Sequence, residues 1–299
     1  MTTTLVAQGP PDLSPKRSGR TVRNAVATVV IGLCVVIVVV PLGFVLFTVL
    51  QKGASAISSG WFTDDIPPVR RPGPGMAPAI VGTLVITGLA ALMAVPLGIL
   101  GAVYLHEYGK TGRLARVLRF FSDVMTGVPS IVMGLFIFTI WVIRFGVDGV
   151  TGFAGALALA CLMLPIIIRS TEEMLRLVPD YLREASMALG SSRSRTIVTV
   201  VLPTALPGIL SGVLLAIARA AGETAPLLFT VGAATSTNWN PFSGPNTALS
   251  LQIFSNAQQP FAGAQERAWG AALTLIALTF IFLVLSRIVA ARFNPMKGR

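Results

Sequence analysis

The chain has 299 residues, of which 54% are hydrophobic and only 12% charged, with a mean hydropathy of +0.77. Ordinary soluble domains carry about 25% charged residues, so this composition excludes a soluble enzyme. The net charge of +11 comes from 23 Lys and Arg against 12 Asp and Glu, but the basic residues lie in short tracts between apolar runs, not on one polar domain, so the charge calls for no nucleic-acid partner.

Residues 1–24 carry Pro10, Pro11 and the cluster Lys16, Arg17, Arg20 and Arg23, and read as a disordered basic tail whose inferable contact is with anionic lipid headgroups. Charge-free intervals then follow at 24–51, 72–105, 124–143, 149–168, 196–218 and 268–286. Each approaches or exceeds the roughly 20 residues that a bilayer-crossing helix needs. An all-α, polytopic membrane protein with about six transmembrane helices is predicted. The first interval resembles a signal peptide, with Ala54-Ser55-Ala56 as a cleavage-like site, but its 28 uncharged residues exceed a signal core of about 7–15. It is expected to remain as the first helix. Residues 25–75 thus hold this helix and an extracytoplasmic loop, 76–290 the main transmembrane domain, and 291–299 a tail.

Counting Lys and Arg on alternate sides places 17 with the termini and 5 opposite, leaving Arg219 inside a span. By the positive-inside rule both termini are cytoplasmic. The outer loop at 52–75, with four prolines between 67 and 74, is expected to be irregular, and part of 235–267 to form a short outer helix. Pro129 is expected to kink the third helix. Gly208-Ile209-Leu210-Ser211-Gly212 fits a close helix contact.

Catalytic and metal chemistry find no residues to rest on. There is one histidine, His106, and the two cysteines, Cys34 and Cys161, lie inside apolar runs. Gly109-Lys110-Thr111 is only the tail of a phosphate-binding loop, since Tyr104 stands where its first glycine is required. No cofactor is therefore expected on this chain.

Two places invite a functional reading. The longest cytoplasmic segment, 169–202, carries Glu172, Glu173, Arg176, Asp180, Arg183 and Glu184 at helical spacings that suit a solvated amphipathic helix. Within it, Glu184-Ala185-Ser186 is followed after three residues by Gly190, and after nine more by Val200-Val201-Leu202-Pro203. That pattern resembles the E-A-A, three residues, G, nine residues, I-x-L-P loop of ABC importer permeases, with Ser186 for the second Ala and Val200 for Ile. Small residues let a helix seat in a partner groove, Gly190 permits a reversal with positive φ, and Leu202-Pro203 is expected to restart the chain toward the membrane.

The resemblance extends over about residues 76–290. Leu100–Tyr108, Gly127–Gly134 and Ala218–Leu227 are similar to segments of the phosphate-specific (Pst) permeases, and the last is more like the PstA-type subunit than the PstC-type. It implies a type I ABC importer permease fold in the inner membrane and inorganic phosphate as the substrate. It also implies a homologous PstC-type permease partner, two ATP-binding subunits that carry ATP-Mg, and an extracytoplasmic phosphate-binding protein. Glu184, Ala185, Gly190, Leu202 and Pro203 would couple to the ATPase. A permease for another oxyanion, molybdate or sulfate, and an ion-coupled secondary transporter are the alternatives.

The second place is the pair Arg219 and Glu223, the two charges between Arg195 and Glu266. Arg inside a bilayer costs at least about 2.5–3.5 kcal/mol, so it must face protein or water. Spaced i,i+4, the pair is expected to share one helix face. It reads as an internal ion pair that locks the bundle, as a substrate path, where a guanidinium fork matches phosphate oxygens and Glu223 keeps affinity low enough for release, or as both, with the pair opening when the anion arrives. Ser130 is a further candidate to line that path.

Overall fold

A computed structural model describes residues 19–109 and 112–292, and among them every regular element is helical. Most of the expected basic tail and the last seven residues lie outside the described range. Gly19–Asn24, expected as tail, form the opening turns of the first helix.

The chain divides into two units, residues 1–48 and 49–299. Helix α1 (Gly19–Ala56) provides the regular structure of the first unit and ends within the second. At 38 residues it is roughly 57 Å long by its rise, and Ala54-Ser55-Ala56 forms its final turn.

The second unit is built from α2 (Ala77–Val103), α3 (Arg113–Gly127), α4 (Ser130–Ile137), α5 (Gly152–Arg176), α6 (Asp180–Ala188), α7 (Leu202–Ala221), α8 (Leu249–Ala257) and α9 (Ala262–Arg292). Three π-helical stretches extend these helices: Tyr104–Gly109 after α2, Phe138–Val142 after α4, and Ile197–Val201 before α7. Six helices among the described residues are long and apolar enough to span a bilayer: Val22–Ala56, Ala77–Gly109, Ser130–Gly149, Gly152–Arg176, Arg193–Ala221 and Ala262–Leu285.

Three spans start earlier than the charge-free intervals, at Val22, Arg193 and Ala262. A charge does not end a helix when it lies in the terminal turn or finds partners. Arg267 is 1% exposed, and its guanidinium donates to the carbonyls of Arg71 (2.9 Å) and Val69 (3.4 Å). The third span starts later than expected, and its predicted kink is a full break. Val128 and Pro129 adopt ψ of 129° and 136°, because the ring of a proline pushes the preceding residue out of the α region. The charged stretch between the second and third intervals is accordingly helical: α3 opens at Arg113 and runs on to Gly127.

Apolar burial between helices contributes little inside lipid, so the bundle relies on close packing of small residues. Ala90 and Ala94 of α2 meet Ala156, Leu159, Ala160 and Met163 of α5 in one core, which continues through Ile209 and Val213 of α7. The glycine pair acts as expected. A methyl at Gly208 would lie 2.2 Å from Met174 Sδ and one at Gly212 2.4 Å from Ser170 Oγ, so α7 runs antiparallel to α5 with little space between them.

The 57–76 segment is irregular, as expected, but packed. Trp61 is fully buried with Met76, Ala79, Leu249 and Ala271, and its indole Nε1 donates to Thr274 Oγ1 at 2.9 Å. Ile66 N donates to Thr235 O (2.9 Å), joining this loop to the segment that leads into α8, the short helix expected within 235–267.

Candidate functional site

Helix α6 carries Glu184 and Ala185, both exposed, and ends at an exposed Leu189-Gly190 turn. Gly190 has φ +85°, and its N–H donates to Met187 O at 2.9 Å. A side chain at that φ is strained, so the spacing rule for glycine here is a conformational requirement. Ser186 and Thr196 share a hydroxyl hydrogen bond of 2.9 Å that closes the turn. The chain restarts at Ser192, whose Oγ accepts from Arg195 N, and not at Leu202-Pro203 as expected. Leu202 is half-buried and Pro203 exposed, ten residues beyond Arg193, which is roughly 15 Å of helix. Leu202 packs on the same core as Leu182 of α6, whereas Glu184, Ala185 and Gly190 are exposed at the surface.

Of the charges expected to be solvated on the 169–202 segment, Glu173, Arg176, Asp180 and Glu184 are exposed as expected, but Glu172 and Arg183 belong to a buried network. Glu107 and Glu172 are 5% and 3% exposed. Glu172 accepts from Arg119 Nε at 3.0 Å, and Arg119 also donates to Leu105 O at 2.8 Å, fastening α3 to α5 and to the end of α2. Arg183 of α6 donates to Glu107 Oε1 from Nη2 at 3.1 Å and lies beside His106 Nε2 at 3.4 Å. A cavity of about 690 Å³ opens among His106, Glu107, Arg119, Glu172, Arg176 and Arg183. These partners are 53 and 76 residues apart, so helical spacing within one segment carried no signal of them.

Farther along the bundle, Arg219, Glu223 and Ser130 line one cavity of about 230 Å³, together with Val128, Pro129 and Pro165. The expectation of a shared helix face needs correction, because α7 ends at Ala221 and Glu223 lies in the following turn. That turn is fixed by Glu223 N–H donating to Ala220 O (3.1 Å) and by Ser250 Oγ of α8 donating to Glu223 O (2.8 Å). Arg219 Nε stands 3.6 Å from Glu223 Oε1, too far for a hydrogen bond, and its side chain is 68% exposed against 20% for Glu223. The pair is thus a long contact in which the cation is the more exposed member. The break at Val128-Pro129 brings the first turn of α4, with its Ser130, to the same cavity, and the first amides of a helix have no acceptor within it. Arg169 of α5 and Asp123 of α3, both about half exposed, form a second ion pair one turn of α5 beyond Pro165.

Close contact sets the spacing of this cavity. A methyl on Gly134 of α4 would lie 2.5 Å from Pro226 Cα, so α4 rests directly on the chain that follows Glu223. Gly134→Val is expected to destabilise the fold by about 1–3 kcal/mol through overpacking, measured as a lower thermal midpoint in detergent. An unchanged midpoint would show that α4 can move aside freely.

A helical bundle with a small-residue core, an exposed helix–glycine turn between the fourth and fifth of its spanning helices and a polar cavity within an apolar span defines a transport-system membrane component. Residues 94–295 match the family model described as binding-protein-dependent transport system inner membrane component. The chain is 48% identical over 260 residues to the phosphate transport system permease protein PstA 1 of Mycobacterium tuberculosis (strain ATCC 25618 / H37Rv), covering 86% of this chain and 84% of that one. It is 42% identical over 250 residues to the phosphate transport system permease protein PstA of Yersinia pestis, covering 83% of each. Similar folds occur in a bacterial alginate ABC transporter in complex with an alginate pentasaccharide-bound periplasmic protein (TM-score 0.66, 12% identity, 94% of this chain and 99% of that one) and in the MetNI methionine ABC transporter (TM-score 0.55, 20% identity, 74% and 95%). The chain belongs to the binding-protein-dependent inner membrane components and, within them, to the PstA phosphate transport permeases.

Proposed function

We propose that this chain is the membrane-spanning subunit of an ATP-driven importer that carries inorganic phosphate into the cytoplasm. The observation that carries this reading is the 48% identity to a phosphate transport permease over 86% of the chain. Its partners are a homologous PstC-type permease, two ATP-binding subunits and an extracytoplasmic phosphate-binding protein. ATP and Mg²⁺ act on the ATP-binding subunits, and this chain catalyses no reaction. Both termini are cytoplasmic, in keeping with 17 of its 23 basic residues on that side.

In this reading the surface of Glu184, Ala185 and Gly190 seats in the ATPase, and phosphate passes Arg219. Its guanidinium offers a planar fork of N–H donors to the oxyanion. Glu223, 3.6 Å away, offsets part of the positive charge, so the anion is held weakly enough to leave. Ser130 supplies a hydroxyl on the facing wall. The single intramembrane acid of this pair gives little to couple to an ion gradient, which disfavours a secondary transporter.

Reconstitution of the chain with its three kinds of partner in proteoliposomes tests this. Labelled phosphate is expected to accumulate only with ATP inside the cytoplasmic-equivalent compartment and to be unaffected by excess molybdate or sulfate. Competition by either oxyanion, or uptake driven by an ion gradient without ATP, would overturn the assignment.

A further inference from the structure

We infer that Arg183 ties the ATPase-docking helix α6 to the ends of α2 and α5, so that this part of the chain moves as one lever. This inference rests on the docking role of α6 given above. Helix α6 is bounded by two turns, Leu177–Pro179 and Leu189–Ser191, each a natural hinge. Without a lateral tie, a pull on α6 would be spent in bending those turns.

Arg183 supplies the tie from the middle of the helix. Its Nη1 donates to Val178 O (2.6 Å) and to Asp180 Oδ1 (3.0 Å). Its Nη2 donates to Leu175 O at the end of α5 (2.9 Å) and to Glu107 Oε1 (3.1 Å), which also accepts from Nε (3.2 Å). One planar, permanently charged fork thus joins the carbonyl end of α5, the first turn of α6 and the π-helical end of α2. Its side chain is 13% exposed and that of Glu107 6%, so solvent screens the contact little. These ends lead to the substrate path: α2 and α5 share the central core, and α5 continues to Pro165 in the wall of the Arg219 cavity. Arg183 does not line the Arg219 cavity, and its side chain is turned inward to Glu107 and Leu175 O while the neighbouring Glu184 is exposed; it is a positioning residue.

The test uses the whole assembled transporter in nanodiscs and proteoliposomes. In a background with Cys34→Ser and Cys161→Ala, spin labels at Tyr181→Cys in the first turn of α6 and Leu100→Cys on α2, both exposed, report the lever directly. With Arg183 present, their separation is expected to stay the same with and without ATP. Arg183→Gln is expected to retain the ATPase and its basal hydrolysis, to show an ATP-dependent or broadened separation, and to import roughly tenfold less phosphate per ATP, about the effect of one lost charge-assisted contact. Arg183→Lys restores part of the ratio, because an ammonium reaches some acceptors but not the fork. Glu107→Gln, on the bundle side of the tie, is expected to give the same uncoupling. It decides the matter if Arg183→Gln does not assemble.

An unchanged separation and normal phosphate-to-ATP ratio in both variants would overturn the inference. So would loss of the ATPase from Arg183→Gln while Glu107→Gln stays fully coupled, since Arg183 would then shape the docking surface. A wild-type complex that hydrolyses ATP but imports no phosphate would overturn the substrate reading alone, and the spin-label separations would still judge the tie.

Discussion

Arg219→Ala is expected to reduce phosphate uptake roughly 10- to 150-fold, the equivalent of about 1.5–3 kcal/mol for a hydrogen bond to a charged group, while the complex still assembles and hydrolyses ATP at its basal rate. Assembly should survive because Arg219 Nε makes no hydrogen bond to Glu223 and the side chain is largely exposed. Labelled phosphate uptake by cells lacking the wild-type chain and carrying equal membrane levels of either form measures this. Arg219→Lys keeps the charge but not the fork, so it should recover part of the rate with a raised KM. Glu223→Gln removes the neighbouring negative charge and should do the reverse, lowering KM and maximal rate together because the anion leaves more slowly. Normal uptake by Arg219→Ala would reduce the pair to a structural contact and leave phosphate specificity to other residues.

Gly190→Pro is expected to abolish capture of the ATPase while leaving membrane insertion intact. Proline holds φ near −65°, whereas Gly190 sits at +85° and donates its N–H to Met187 O. The substitution removes that donor and forces the turn after α6 into another path, displacing Glu184 and Ala185 from the surface they form. Gly190→Ala tests the same feature more gently: a Cβ in the left-handed region costs about 1–2 kcal/mol, so capture should weaken without vanishing. Co-purification of affinity-tagged permease with its ATPase measures both. Full capture by the proline variant would remove the docking role from this turn.

The features legible in the amino-acid order are those written locally. Charge-free length located six spans, and the Glu184 to Gly190 spacing located an exposed turn whose glycine does adopt positive φ. Arg219, Glu223 and Ser130 were named from the chemistry of charge in lipid and of a proline break, and they do line one cavity. Errors arose where partners are distant in the chain. Arg183 looked like part of a solvated face because its acceptor, Glu107, lies 76 residues away. Arg267 ended an apolar interval on paper although two backbone carbonyls near residue 70 accept from it in a buried site. Ser250, which holds the carbonyl of Glu223, has no local signature at all. Leu202 and Pro203 are not where the chain restarts, for another reason: the helix opens at Arg193 and a π-helical stretch, Ile197–Val201, leads into them without a break.

The ion pairs Arg219–Glu223 and Asp123–Arg169 differ in how they can form during synthesis. Arg219 and Glu223 are four positions apart, so the pair can close while its own hairpin is still leaving the insertion machinery, partly offsetting the cost of a charge entering lipid. Asp123 and Arg169 belong to α3 and α5 and lie 46 positions apart. That pair must wait until the second helix has arrived, and until then α3 carries an acid with no cation from α5. The order of emergence therefore gives the chain one charge pair that helps a segment enter the membrane and another that forms only once two segments have met.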